Sequence, residues 1–236
     1  MAQEYIYAVA RIKARELTLL TRSDIDRLMA CKTPEECLRF LADKGWGNGS
    51  GAPADEVLAL ETEKTWALMH ELVPDLTPFH ILLYPIDFNN MKAAIKCAAT
   101  GAAPHEVFMS GGTVEPEVIE NAVKQNDFSL LPELLAEPAA HAMQTLLQTR
   151  DGQRCDLILD RACLEAIRAA GHASDNALIQ SFARLTVDTA DIKIAVRAMK
   201  TGKSRAFLEE SLAESDTLNL DTLMTEALKT PEDFYN

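Results

Sequence analysis

Asp87-Phe88-Asn89-Asn90-Met91-Lys92-Ala93-Ala94-Ile95-Lys96-Cys97-Ala98-Ala99-Thr100-Gly101 has a second copy further along the chain, Asp188-Thr189-Ala190-Asp191-Ile192-Lys193-Ile194-Ala195-Val196-Arg197-Ala198-Met199-Lys200-Thr201-Gly202. The offset is 101 at every matched Asp, Lys, Ala, Thr and Gly. Met91/Ile192, Ile95/Val196 and Lys96/Arg197 are conservative pairs at the same offset. Both copies carry apolar residues at helical spacing: Met91, Ala94, Ile95 and Ala98, then Ile192, Ala195, Val196 and Met199. Each is expected to open on its Asp as an N-cap and to close on its Gly.

Working outward, a second repetition joins the two ends of the chain. Ile25-Asp26-Arg27-Leu28-Met29 and Lys32-Thr33-Pro34-Glu35-Glu36 are echoed by Leu220-Asp221-Thr222-Leu223-Met224 and Lys229-Thr230-Pro231-Glu232-Asp233. Thr33 and Thr230 suit an N-cap, Pro34 and Pro231 suit N1, and Glu36 or Asp233 falls near the positive end of the helix. Three units are therefore expected: residues 1–105, residues 106–202, and the start of an incomplete third at 203–236. Such a period is domain-sized, longer than an ordinary solenoid repeat.

The composition favours helix. Ala, Leu and Glu dominate, aromatics are only 6%, and no two-fold apolar alternation marks a strand. The expected fold is all-α. Helices are anticipated over 5–20, from a Ser23 cap to Cys31, from a Thr33 cap to Lys44, and over 55–73. Four Gly and a Pro in residues 45–54 mark a loop. In the second unit, helices are expected over 117–124, 130–135, 139–148 and 157–170. A turn follows at 172–175, then a helix toward Leu185 ahead of the second repeat copy. The last stretch gives two helices, capped by Ser204 and by Ser215 or Asn219.

A net charge of −13 repels phosphate backbones and argues against nucleic-acid binding. Five cysteines, with no Cys-x-x-Cys, fit free thiols in a reducing cytoplasm, with Cys97 read as a small core residue. No apolar run suits a signal peptide or a membrane span, so any link to a membrane passes through another protein. No phosphate loop, metal-ligand spacing or nucleophile elbow occurs, and His80 reads as a core histidine. No cofactor, metal or catalytic residue is expected.

Lys92 with Lys96, and Lys193 with Arg197, place like charges four residues apart, a small cost to an isolated helix. They serve either as a solvated face paired with nearby acids or as a lining that meets an acidic partner. Asp87, Asn90 and Lys92 also admit an enzymatic reading, but Asp and Lys five apart lie on different sides of a helix.

The order of several motifs resembles the C subunit of V/A-type rotary ATPases, the counterpart of the eukaryotic d subunit. Tyr5-x-Tyr7-Ala8-x-Ala10-Arg11-Ile12-x-Ala14 is similar to that family's opening, and Leu19-Leu20-x-Arg22-Ser23-Asp24 continues the match. Asp87-Phe88-x-Asn90-Met91-Lys92 resembles its first repeat helix. Leu159-Asp160-Arg161-Ala162-x-Leu164 with Val187-Asp188-x-x-x-Ile192-Lys193 resembles its second. The resemblance implies a funnel of three pseudo-threefold-related helical units on the cytoplasmic face of a proteolipid ring, accepting the central shaft. It implies a non-catalytic central-stalk role in proton or sodium transport. Contact residues are expected at Tyr5, Arg11, Lys92, Lys96, Lys193 and Arg197, with the shaft and the ring as partners and the membrane reached only through the ring. A helical-repeat adaptor that binds a partner peptide is the alternative. An incomplete third unit leads us to expect exposed apolar faces on the second unit, and either marginal stability or self-association of the isolated chain.

Overall fold

The computed structural model describes residues 5–49, 51–102 and 107–229. Helices make up all of its regular structure, and the chain is all-α. Two compact units are present, residues 1–76 and 77–236. The division falls between Leu76 and Thr77, so both copies of the repeat lie in the second unit.

The first unit holds α1 (Ile6–Glu16), α2 (Arg22–Ala30), α3 (Pro34–Asp43) and α4 (Ala54–Leu72). The second helix is capped by Thr21, not by Ser23. Thr21 accepts from the Asp24 N–H, and the Asp24 carboxylate accepts from the Thr21 N–H, a reciprocal capping box. Lys44 sits 2.7 Å from Asp24, and with Thr21 it holds that carboxyl well below the usual range. Thr33 caps α3 as expected, with Pro34 at N1. Gly45 then takes a left-handed φ of 84° and ends the helix. The loop at 45–49 is fastened to α4: the Gly47 N–H donates to Glu61, and Lys64 donates to the Gly47 carbonyl.

The second unit opens on a short 3-10 segment (Thr77–Leu82) and α5 (Tyr84–Thr100), then continues through α6 (Pro116–Gln125), α7 (Glu133–Thr149), α8 (Gly152–Ala173), α9 (Ala177–Lys200), α10 (Arg205–Ser211) and α11 (Leu220–Ala227). Its main core gathers Ile81, Phe88, Met91 and Ile95 with Ile119 of α6, Leu135 and Ala139 of α7, and Cys155, Leu159 and Cys163 of α8. A smaller cluster joins Ala195 and Ala198 of α9 to Leu208, Leu212 and Met224.

Four expectations about helix ends are corrected. Asp87 and Asp188 are not N-caps; they lie inside α5 and α9, whose caps are Leu83 and Asn176. The Asn176 carboxamide accepts from the N–H groups of Leu178 and Ile179. The two segments expected before Gly202 are one continuous α9. At the matching point of the first copy, Pro85 breaks the run into a 3-10 turn and a helix, while Thr186 keeps its N–H. Residues 133–149 form one helix despite Pro138, because Leu135, Ala139, Ala142 and Leu146 bury one continuous side. Asp151 starts α8 well before residue 157, accepting from the Gln153 and Arg154 N–H groups. The Gly ends hold: Gly101 and Gly202 have φ of 74° and 62°. Ser204 and Asn219 cap α10 and α11. Thr230, Pro231 and Asp233 lie outside the described residues.

Candidate functional site

The matched acids of the repeat, Asp87 and the half-buried Asp188, act as anchors for the loop that follows each helix. Asp87 is fully buried and accepts from the Thr113 N–H at 2.9 Å, the Thr113 hydroxyl at 2.6 Å and the Val114 N–H at 3.1 Å. Burial pushes its carboxyl up, and these three bonds pull it part of the way back. A Cβ added to Gly112 would lie 2.1 Å from Asp87 Oδ1, so this loop approaches the carboxylate only because residue 112 has no side chain. Asp188 is used in the same manner: the Ser215 and Thr217 hydroxyls donate to its two oxygens at 2.7 and 2.5 Å.

Three residues on, the copies differ. Asn90 donates to the Met109 carbonyl and accepts from the Met109 N–H, both at 2.8 Å. Asp191 accepts only from the Ala213 N–H, at 3.1 Å. Its Oδ2 has no partner among the described residues. Burial, reinforced by the neighbouring Asp188 charge, raises the Asp191 carboxyl to about 6.

The basic pairs part company more sharply. Lys92 reaches Asp160 at 2.5 Å and Lys96 reaches Asp156 at 2.6 Å, linking α5 to α8. The earlier lysine meets the later aspartate, so the two helices run antiparallel. On α9, Lys193 and Arg197 are exposed and make no ion pair among the described residues. Cys97 is half-buried and Ala98 exposed, so the first stripe is buried only at Met91, Ala94 and Ile95. In the second, Ala195 and Met199 are buried while Ile192 is 44% exposed.

The remaining contact candidates lie at α1 of the first unit. Tyr5 precedes the helix and is exposed, and Arg11 lies 3.5 Å from Glu71 of α4. Tyr7 donates to the same glutamate. Sequence reasoning missed the acids opposite the first basic pair. Their signal was an aspartate pair with matching spacing of four, Asp156 and Asp160. It also missed the loop hydroxyls of Thr113, Ser215 and Thr217, whose roles depend on long-range folding.

Among the described residues, no group of three or more His, Cys, Asp or Glu is placed to hold a metal ion, and no helix is long and apolar enough to cross a membrane. His172, Arg168, Glu214 and Asp216 form a cluster bordering a cleft of about 450 Å³, where Arg168 is ion-paired to both carboxylates and the His172 ring is hydrogen-bonded to Asp216.

Three relatives are similar along most of this chain. The V-type ATP synthase C subunit of Thermus thermophilus is 26% identical over 218 residues, 86% of this chain and 65% of the relative. The A-type ATP synthase C subunit of a Desulfurococcus species is 27% identical over 233 residues, 93% of this chain and 64% of the relative. The V-type sodium ATPase C subunit of Enterococcus hirae is 20% identical, covering 91% and 66%. The chain thus spans about two thirds of the length of these relatives. No solved structure matches it. With the ATP synthase (C/AC39) subunit family model matching residues 8–236, the chain belongs to that family.

Proposed function

We propose that this protein is a non-catalytic rotor subunit of a rotary V/A-type ATPase, seated between the central shaft and the proteolipid ring on the cytoplasmic side. In this role it carries torque between ATP turnover and the movement of protons or sodium ions. The observation that carries the reading is the family match over residues 8–236. Two features of the fold support it. Each copy of the repeat fixes its following loop through its matched acid, and α5 is locked to α8 through paired charges, so load can pass along helices whose ends are held. Tyr5, Arg11, Lys92, Lys96, Lys193 and Arg197 are the proposed contacts. Lys193 and Arg197 head that set, because neither is ion-paired among the described residues.

Reconstitution tests this. Membranes stripped of the protein should hydrolyse ATP without building an ion gradient, and adding the chain back should restore pumping. The chain should also co-purify with a shaft subunit and the ring. Gradient formation that is unchanged by its removal would overturn the proposal.

A further inference from the structure

Two of the five cysteines meet at the corner between α2 and α3. Cys31 caps the C-terminal end of α2, and Cys37 lies at the start of α3, six positions later. The Cys31 thiol donates to the Arg27 carbonyl at 3.4 Å, and the Cys37 thiol donates to the adjacent Leu28 carbonyl at 3.7 Å. Both sulfurs therefore lie against the same turn of α2, and the two thiols are hydrogen-bonding neighbours. Along the same seam, Arg27 lies over the Phe40 ring, 4.9 Å from its centre. Arg27 stands four residues before Cys31 and Phe40 three after Cys37, so the helix faces that carry the thiols are already packed together. Both cysteines are only half-buried, within reach of solvent.

The bend that joins them is held by its own bonds. The Lys32 N–H donates to the Glu36 carboxylate at 2.9 Å, and the Glu36 N–H donates to the Thr33 hydroxyl at 3.3 Å. Pro34 fixes the backbone at the first position of α3. Little freedom remains to be lost in bringing one sulfur onto the other, which is the condition for a large proximity effect. Cys155 and Cys163, by contrast, are buried in the core of the second unit.

We infer that Cys31 and Cys37 form a reversible dithiol–disulfide site, closed by a small-molecule disulfide such as oxidised glutathione. One protein thiol, as its thiolate, attacks a sulfur of the oxidant. A mixed disulfide forms, the S–S bond of the oxidant breaks, and the departing thiolate takes up a proton. The second protein thiolate then attacks the first protein sulfur and expels the other half of the oxidant, which takes up the second proton. The pair loses two electrons and two protons, and the small disulfide is reduced to two thiols. Closure ties the end of α2 to the start of α3 by a covalent bond, and an excess of reduced glutathione reopens it. A disulfide that solvent reaches is of the labile, regulatory kind. The inference concerns the first unit alone and does not depend on the rotor role.

The test equilibrates the whole reduced chain with graded ratios of oxidised to reduced glutathione at mildly alkaline pH. Samples are quenched in acid, alkylated and digested with trypsin. A species that joins residues 28–32 to residues 33–39, two hydrogens lighter than the sum of its parts, is expected. It should form at an oxidised-glutathione level about tenfold or more below the level that places a glutathione adduct on Cys31 of the Cys37→Ser variant. Cys97→Ser should leave its yield unchanged. In wild type, with no substitution at all, the same ratio should close the pair less completely in urea than in the folded chain. The oxidised chain should correspondingly unfold at a higher urea concentration than the reduced one. Absence of the joined species would overturn the inference. So would separate glutathione adducts on both cysteines in its place, or closure that proceeds as readily in urea as in the folded chain.

Discussion

Asp191 holds the backbone N–H of Ala213 at 3.1 Å with one oxygen and buries the other without a partner among the described residues. At the matching position Asn90 satisfies both the N–H and the carbonyl of Met109. The first anchor is complete and the second is not. An unpaired buried polar atom costs about 1–3 kcal/mol, more when charged. Asp191→Asn should therefore stabilise the protein at pH 7 by about 1–2 kcal/mol, read from urea unfolding midpoints. Asn90→Asp should do the reverse, because a carboxylate would face the Met109 carbonyl.

The same carboxyl gives a pH signature of known sign. Its folded value is about 6, above the ordinary value of 3.8. Between these values the folded state binds the extra proton, so the contribution of Asp191 to stability falls as pH rises from 3.8 to about 6 and is flat beyond. The unfolding free energy of wild type minus that of Asp191→Asn, measured from pH 4 to pH 7, should decline and then level. Asp188 and Arg161 influence this titration, and both are retained in the comparison.

Gly112→Ala tests the first anchor from the loop side. Its Cβ would sit 2.1 Å from Asp87 Oδ1, and the three bonds to Asp87 hold that carboxylate in place. A loss of about 2 kcal/mol or more is expected in thermal or urea unfolding. Gly171→Ala should also destabilise, since its Cβ would meet Ala183 Cβ at 2.3 Å between α8 and α9.

A double-mutant cycle on Lys92→Ala and Asp160→Ala should return a coupling of about 0.5–1 kcal/mol. Lys92 is 19% exposed but Asp160 is 53% exposed, so water screens much of the attraction. The coupling should shrink in high salt.

Thiol reactivity separates the cysteines. Burial pushes Cys155 up to about 11 and Cys163 up to about 12, which leaves little thiolate at neutral pH. A thiol reagent should leave these two unlabelled in the native protein and reach them only on unfolding. Cys97, half-buried beyond the first repeat stripe, should label before either of them.

The all-α class, the Thr33 cap and the glycine ends were legible, because each rests on residues within one or two turns of each other. Helix starts were misread where an acid looked like a cap. Asp87 and Asp188 have the right chemistry to cap a helix, yet they serve loops 26 to 29 residues away. Ser23 looked plausible, but Thr21 has Asp24 three residues later and wins the cap. The basic pairs were visible in the sequence. That one is neutralised by α8 and the other open was not, because burial of Met91 and exposure of Ile192 depend on which helix lies alongside.

Thr186, standing where the first copy has Pro85, leaves α9 as a rod of about 36 Å with no joint in its backbone. The 3-10 turn ahead of α5 interrupts the same span with a hinge-like seam. Under a sideways push the two copies must respond differently: one can flex at its seam, whereas the other, packed from Ile179 to Met199, has no seam at which to bend.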